Sequence, residues 1–412
     1  YKVIADTIET TGVVDLAGEK RQFVIPEDFE MPEGGLNIRW PDDRFAQDER
    51  LQEYKGYAAI AFARANGVDQ LVIDSQKPRF GIISSGKAYE NVREALRHLG
   101  IDDKTADEIG LRLYKVRMPW PLEPEGVRHF SEGLEEVLVI EERREVIEHQ
   151  IKQQLFNWRS NVRPRIVGKF DHQDRHILSL HEEVTAGVAT RAIATRLLAF
   201  DLPEGLRDSI REKLEYYQER HAKKLAHKAP VNRVAHFCAG CPHNTSTKVP
   251  DGSRAFAGIG CHFMALWMDR NTETYTHMGG EGITWVGTAP FTKEKHVFVN
   301  LGDGTYFHSG IMAIRQAVAS GANITYKLLY NDAVAMTGGQ KLDGSLTVPE
   351  LAEQLKAEGV KEIWLVTDEP QRYENIPLPQ GIQLRHRDEL DAVQKHLRDV
   401  SGCTAIIYDQ TC

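Results

Sequence analysis

Between residues 45 and 158 the pattern of apolar and polar positions keeps changing period. Leu51–Arg64 repeats every three or four residues, as an amphipathic helix does, and Gln70–Asp74 is an apolar run of strand length. Phe80–Ser85 predicts a second strand and Lys87–Leu99 a second helix. Leu113–Val116 and Val137–Glu141 predict strands on either side of a helix near Glu125–Leu134. Strands alternating with helices of this length imply a parallel α/β sheet.

The alternation stops over 159–230. Arg159, Arg163 and Arg165 flank Pro164 in a polar turn, and helical stretches follow at Val184–Phe200 and Gly205–Lys228. The second is densely charged, which suits a solvated face or a packing arm, and the segment reads as a helical linker. Alternation resumes over 231–412, with strands at His296–Leu301, Ile324–Tyr330, Glu362–Thr367 and Thr404–Asp409. Helices fall between them at Ser309–Ser320, Pro349–Glu358 and Arg387–Val400. Residues 1–44 lack periodicity and contain Pro26, Pro32, Gly34, Gly35 and Pro41, as a connecting segment or the tail of a further domain would. The expectation is an α/β fold with parallel sheets in two domains, 45–158 and 231–412.

Length allows two or three domains with real cores, and 41% hydrophobic with 27% charged residues is ordinary for a globular chain. A net charge of −9 leaves no basic excess to meet phosphates, which argues against nucleic acid. No apolar run approaches a membrane span, and no basic-then-apolar leader is present, so a cytoplasmic location is expected. Five cysteines in 412 residues are too few for a disulfide scaffold and point to metal or redox chemistry. The start at Tyr1 without methionine and the end at Cys412 suggest an excerpt of a longer polypeptide.

Gly302-Asp303-Gly304 follows the apolar strand directly, and Asn331 follows the next strand with 26 residues between. Both loops then leave the carboxyl edge of a parallel sheet, where α/β folds bind ligands. A carboxylate, an amide oxygen and the Ala333 carbonyl make the hard-oxygen set that Mg²⁺ prefers, with diphosphate oxygens completing it. In a strand–helix–strand frame this spacing is the thiamine-diphosphate signature. Thr337-Gly338-Gly339-Gln340 could wrap the cofactor or be a plain turn. His277-Met278-Gly279-Gly280 could add diphosphate contacts or be an ordinary loop.

Cys238-Ala-Gly-Cys241 offers two thiolates to one centre, Cys261 follows in Gly258-Ile-Gly-Cys261, and Cys412 follows the last strand. Four such thiolates suit either tetrahedral zinc or a [4Fe–4S] cluster. Cys403 lies at the opposite end of that strand, roughly 30 Å away, and reads as a buried structural thiol.

Together, Cys-x-Gly-Cys-Pro-His at 238–243, Gly-Ile-Gly-Cys at 258–261, Gly-Asp-Gly at 302–304 and the final Cys412 resemble the 2-oxoacid:ferredoxin oxidoreductases. The Cys-x-Gly-Cys-Pro-His form and His308-Ser309-Gly310 resemble indolepyruvate ferredoxin oxidoreductase in its fused single-chain bacterial type. The resemblance implies a transketolase-C-terminal-like domain at 45–158 and a thiamine-diphosphate domain at 231–412. It implies a [4Fe–4S] cluster on Cys238, Cys241, Cys261 and Cys412, and Mg²⁺ on Asp303, Asn331 and Ala333. It further implies oxidative decarboxylation of a 2-oxo acid such as an aryl pyruvate, coenzyme A as acyl acceptor, ferredoxin as electron acceptor, and a homo-oligomer. The glutamate that activates the cofactor is expected in a domain outside this chain. His243 and Glu281 are candidate substrate-site groups or structural ones. Two other classes fit the same residues: a non-oxidative thiamine enzyme with structural zinc, and a non-catalytic scaffold or electron-transfer subunit.

Overall fold

The computed structural model describes residues 8, 9, 11, 22–227, 231, 233–342, 344 and 346–412. Most of the predicted connecting segment before residue 22 lies outside the described residues, and 22–43 contain no helix or strand. The chain divides into two compact units, 1–228 and 229–412.

The first unit carries five strands: β1 (Gln70–Ile73), β2 (Phe80–Ser85), β3 (Leu111–Val116), β4 (Glu136–Ile140) and β5 (Arg165–Val167), in the order β1-β3-β2-β4-β5. β2 to β5 are parallel, as expected, but β1 runs antiparallel to β3. The reason is the connection. Residues 74–79 are too few for the crossover of a dozen or more residues that a parallel neighbour needs, so the chain turns back. Helices at Asp103–Ile109 and Ile147–Leu155 were not predicted; both are short and carry few apolar positions.

Both sheet faces are covered. Phe130, Ile147, Ile151 and Leu155 pack one side, while Ala88, Val92, Ala95, Leu96, Ala189, Ile193, Leu197 and Ile210 pack the other. That second list corrects the linker assignment for 159–230. Its helices, Ala186–Leu197 and Glu204–Ala226, are part of this unit's core layer, and β5 extends the sheet. The physical anchor is Arg196, buried and paired with Glu136 at the start of β4 (Nε–Oε1 2.7 Å). In Glu204–Ala226 only Ile210 is buried, so its charged run is a solvated face.

The second unit is a seven-stranded sheet. Its strands are β6 (Ala255–Ala257), β7 (Thr272–Tyr275), β8 (Val297–Gly302), β9 (Ile324–Tyr330), β10 (Ile363–Thr367), β11 (Gln383–His386) and β12 (Cys403–Asp409). They run in the order β11-β10-β12-β9-β8-β6-β7, and every pairing is parallel. β8, β9, β10 and β12 lie where the apolar runs predict them. Helices such as Ile311–Ser320, Val348–Ala357 and Leu390–Arg398 cover the faces, so the strands read as continuous buried runs rather than alternating ones. The helix after β8 starts earlier than predicted, at Asp303 itself, and passes through a π turn at Tyr306–Gly310 before Ile311–Ser320.

Candidate functional site

Parallel pairing sends the loops after β6, β8, β9 and β12 to one sheet edge. Asp303 is the first residue after β8 and is buried. One of its carboxylate oxygens accepts the backbone amides of Asn331 (2.9 Å) and Asp332 (2.8 Å), and the other accepts Gly304 N–H (2.8 Å). Asp332 adopts a left-handed backbone (φ 56°), which turns two successive amides toward one oxygen. Burial pushes the Asp303 carboxyl above the usual carboxylate range despite these donors. A buried carboxylate with no cation beside it is a place where a divalent ion is favourable.

Asn331 is buried, and its side-chain oxygen accepts the Ala333 amide at 3.3 Å. Asp303, Asn331 and Ala333 all line a cavity of about 280 Å³ with Gly302, Gly304, Thr337 and Met278. Thr337 also donates to Gln340 (2.7 Å), so the loop closes on itself at the cavity wall. His277 and Gly279 do not line this cavity. They face a neighbouring hollow with Thr276, Thr284 and Met312. Gly279 has φ 89°, and a Cβ there would meet the Ser309 hydroxyl at 2.4 Å, so its glycine serves backbone packing. Glu281 is buried, accepts the Gly279 amide at 2.7 Å and is held above its ordinary range by burial.

The cysteine-bearing segments reach the same sheet edge. Cys238 and Cys241 close a turn (Cys241 N–H to Cys238 O, 3.1 Å) in which Gly240 takes φ 77°, a conformation that favours glycine. Cys261 lines the same cavity as Asp303, and the amide of Cys412 donates to the carbonyl of Asn331 at 3.5 Å. Burial raises the Cys241 thiol; the His243 amide pulls the other way, and the charges of Cys412, Cys238 and Cys261 add to the rise. Burial and the charges of Cys412 and Cys238 act on Cys261 in the same direction. Among the described residues, no three His, Cys, Asp or Glu side chains stand close enough to grip a single ion. Cys403 is buried at the far end of β12, its thiol pushed up to about 12 by burial, as expected for a structural thiol.

The glycines around Cys261 allow close packing. A Cβ on Gly258 would sit 2.2 Å from the Asn300 carbonyl, and one on Gly260 would sit 2.6 Å from the His262 ring. Their close approach is to this chain's own backbone and imidazole. His262, not singled out from the sequence, is buried in the cavity wall with Nε2 unpartnered. Burial, His243 and Lys327 lower its ring to about 3. His243 lies against it (ring centroids 5.5 Å) and is lowered by burial to about 4. Both rings are therefore neutral near pH 7, able to donate or accept hydrogen bonds without adding charge. The one signal for His262 was its place directly after Cys261.

A family profile described as the indolepyruvate ferredoxin oxidoreductase middle domain matches residues 69–227. A second, the thiamine pyrophosphate enzyme C-terminal TPP-binding domain, matches residues 258–401. Residues 69–227 are thus similar to the middle domain of indolepyruvate ferredoxin oxidoreductases, and residues 258–401 to thiamine-pyrophosphate-binding domains. The indolepyruvate oxidoreductase subunit IorA of Thermococcus kodakarensis is 28% identical over 66% of this chain and 41% of its own length. The IorA subunit of Methanothermobacter marburgensis is 26% identical over 85% of this chain and 53% of its own length. This chain thus spans about half, or less, of the curated relatives it matches. A solved 2-oxoglutarate:ferredoxin oxidoreductase from Magnetococcus marinus aligns at 18% identity and a TM-score of 0.35, over 45% of this chain and 67% of that one. Among the described residues no helix is long and apolar enough to cross a membrane.

Proposed function

We propose that this chain is the thiamine-diphosphate-binding part of an enzyme that oxidatively decarboxylates a 2-oxo acid to an acyl-coenzyme A and CO₂. The observation that carries this reading is a single cavity whose wall holds Asp303, Asn331 and Cys261 together. Mg²⁺ would take the Asp303 carboxylate, the Asn331 amide oxygen and the Ala333 carbonyl, leaving positions for diphosphate oxygens. The helical turn that begins at Asp303 would offer its amide end to that phosphate charge. Thiamine diphosphate, when bound, supplies a carbanion for the keto carbon and a sink for the electrons left as CO₂ departs.

This chain's residues position and shield. Met278, Leu329, Val334 and Met336 give the cavity an apolar wall; Leu329 is buried, and the other three stand at its open side. Neutral His243 and His262 offer hydrogen bonds without a competing charge. Cys238, Cys241, Cys261 and Cys412 would hold a [4Fe–4S] cluster, whose onward acceptor for the two electrons is ferredoxin. Cys261 in the cavity wall, the Cys412 amide bonded to Asn331 and the names of the relatives support this assignment, and those names favour an aryl pyruvate such as indolepyruvate. No residue of this chain is assigned as the group that activates the cofactor; partner domains or subunits would supply it, within an oligomer.

Anaerobic purification followed by metal analysis tests the reading. About four irons per chain with broad absorption near 400 nm are expected, together with thiamine diphosphate binding that depends on Mg²⁺ and is lost in Asp303→Ala. A colourless zinc protein that still binds thiamine diphosphate would replace this reading with a non-oxidative enzyme. Failure to bind the cofactor would leave a scaffold.

A further inference from the structure

Behind the cysteine-bearing segment lies a buried lysine without an acid beside it among the described residues. Lys327 in β9 is 1% exposed, and its ammonium donates to the carbonyls of Ser246 (2.7 Å) and Lys248 (3.0 Å). These carbonyls end the segment that follows Cys238 and Cys241. Among the described residues Lys327 has no carboxylate partner; burial lowers its ammonium to about 7, and the charge of Arg270 adds to that lowering. Arg270 reaches the same segment through the Asn244 carbonyl (3.5 Å), and its buried Nε has no partner. Opposite Lys327 on β8 stands Asn300, fully buried with both side-chain polar atoms unpartnered.

The path from Lys327 to the thiols is continuous. Ser246 touches the His243 ring (3.3 Å), His243 lies against His262, and His262 follows Cys261. The charge of Lys327 is itself felt at His262. A buried ammonium solvated only by carbonyls is costly in isolation and favours a negative charge nearby. Four thiolates around an iron–sulfur cluster carry net negative charge, which grows when the cluster gains an electron, and such charge balance sets the potential.

We propose that Lys327, seconded by Arg270, is a positioning residue for the cysteine site, clamping the segment after Cys241 to the sheet and supplying the positive charge that favours the reduced cluster. This inference rests on the [4Fe–4S] reading above. At an effective dielectric near 20, a unit charge on the order of 10 Å from any redox centre would shift a one-electron equilibrium by on the order of tenfold.

The test is the midpoint potential of the cluster, read by paramagnetic resonance during redox titration of the anaerobic full-length protein, with iron measured in each sample. Lys327→Met removes the charge and keeps the bulk. It is expected to lower the potential by a tenfold shift of the equilibrium, about 59 mV for one electron. Lys327→Arg restores the potential, and Arg270→Gln shifts it in the same direction by less. A folded Lys327→Met protein that loses iron, with Lys327→Arg regaining it, also supports the clamp. Wild-type iron content with an unchanged potential in Lys327→Met overturns the inference. Where Lys327→Met does not fold, an unchanged potential in Arg270→Gln overturns it. A wild-type protein that holds no iron fails the cluster reading itself, and this inference falls with it.

Discussion

The amide of Cys412 donates to the carbonyl of Asn331 at 3.5 Å, two residues after Gln410 donates to Tyr330 at 3.1 Å. The chain beyond β12 therefore stays beside the chain beyond β9, slipped by one residue: two residues advance past β12 for one past β9. Main-chain pairing, rather than any side-chain contact, sets the last thiol beside the asparagine of the proposed cation loop. Asp303 extends the row by one strand, since its carboxylate accepts the Asn331 amide. Three loops from adjacent strands are thus coupled through backbone groups, and a shift in one carries the others.

Asp303→Asn separates charge from shape. The amide keeps the side chain's size but offers one oxygen to the amides that the carboxylate accepts, and no negative charge to a divalent ion. Titration calorimetry is expected to show thiamine diphosphate affinity in Mg²⁺ weakened by at least about 100-fold, in line with losing a charge-assisted contact. The metal-free protein also has a pH signature. Because the folded carboxyl sits above its unfolded value, its contribution to stability is greatest below the unfolded pKa and is lost as pH rises through the folded one. Denaturation midpoints across that window should fall less in Asp303→Asn, and saturating Mg²⁺ with cofactor should abolish the fall in the wild type.

Gly258→Ala tests the close approach beside Cys261. The added Cβ would stand 2.2 Å from the Asn300 carbonyl and 2.7 Å from the His262 ring nitrogen, and backbone cannot yield as a flexible side chain can. A loss of about 3 kcal/mol is expected from this overpacking, seen as a lowered unfolding midpoint. Gly287→Ala, inside the helix Ile283–Thr288 with nothing within 4 Å of its new methyl, serves as the control and should hold the midpoint or raise it slightly.

The contrast between these glycines and Asp303 shows what a sequence can disclose. The places of Asp303 and Asn331 at strand ends were legible because each follows a largely apolar run of strand length, which leaves little choice of strand end. Asn300 and Lys327 were not legible, since a polar residue inside such a run looks like an outward position until all the neighbouring strands are in place. β6, β7 and β11 are three or four residues long, too short to establish a period. The role of 159–230 was hidden for another reason. Arg196 looks like a surface arginine, and its partner Glu136 is 60 residues earlier, so only folding reveals the pair.

Arg196→Met therefore probes the first unit. It keeps the stem but leaves Glu136, itself buried, with only the longer contact to Arg165 (3.4 Å). Breaking one side of a buried ion pair costs about 3–5 kcal/mol because the remaining charge is stranded. Chemical denaturation should show that loss, with the helix Ala186–Leu197 exposed early to protease. Were this segment a linker instead, the variant would unfold like the wild type.

The two cysteines at opposite ends of β12 give a paired test of the site. Cys412 is exposed and main-chain-bonded to Asn331, whereas Cys403 is buried in the core with Leu351, Ala405 and Ile407. Cys412→Ala removes a thiol without opening a cavity, so its folding free energy should stay within about 0.5 kcal/mol of the wild type. Its iron content and its absorption near 400 nm should nonetheless collapse, since a cluster with three protein thiolates is open to loss. Cys403→Ala should do the reverse: it leaves a small void in the core, costing on the order of 1 kcal/mol, while iron stays at the wild-type level. Iron retained in Cys412→Ala and lost in Cys403→Ala would move the cluster off this sheet edge, because no rearrangement short of repairing β9 with β12 exchanges the two ends of that strand.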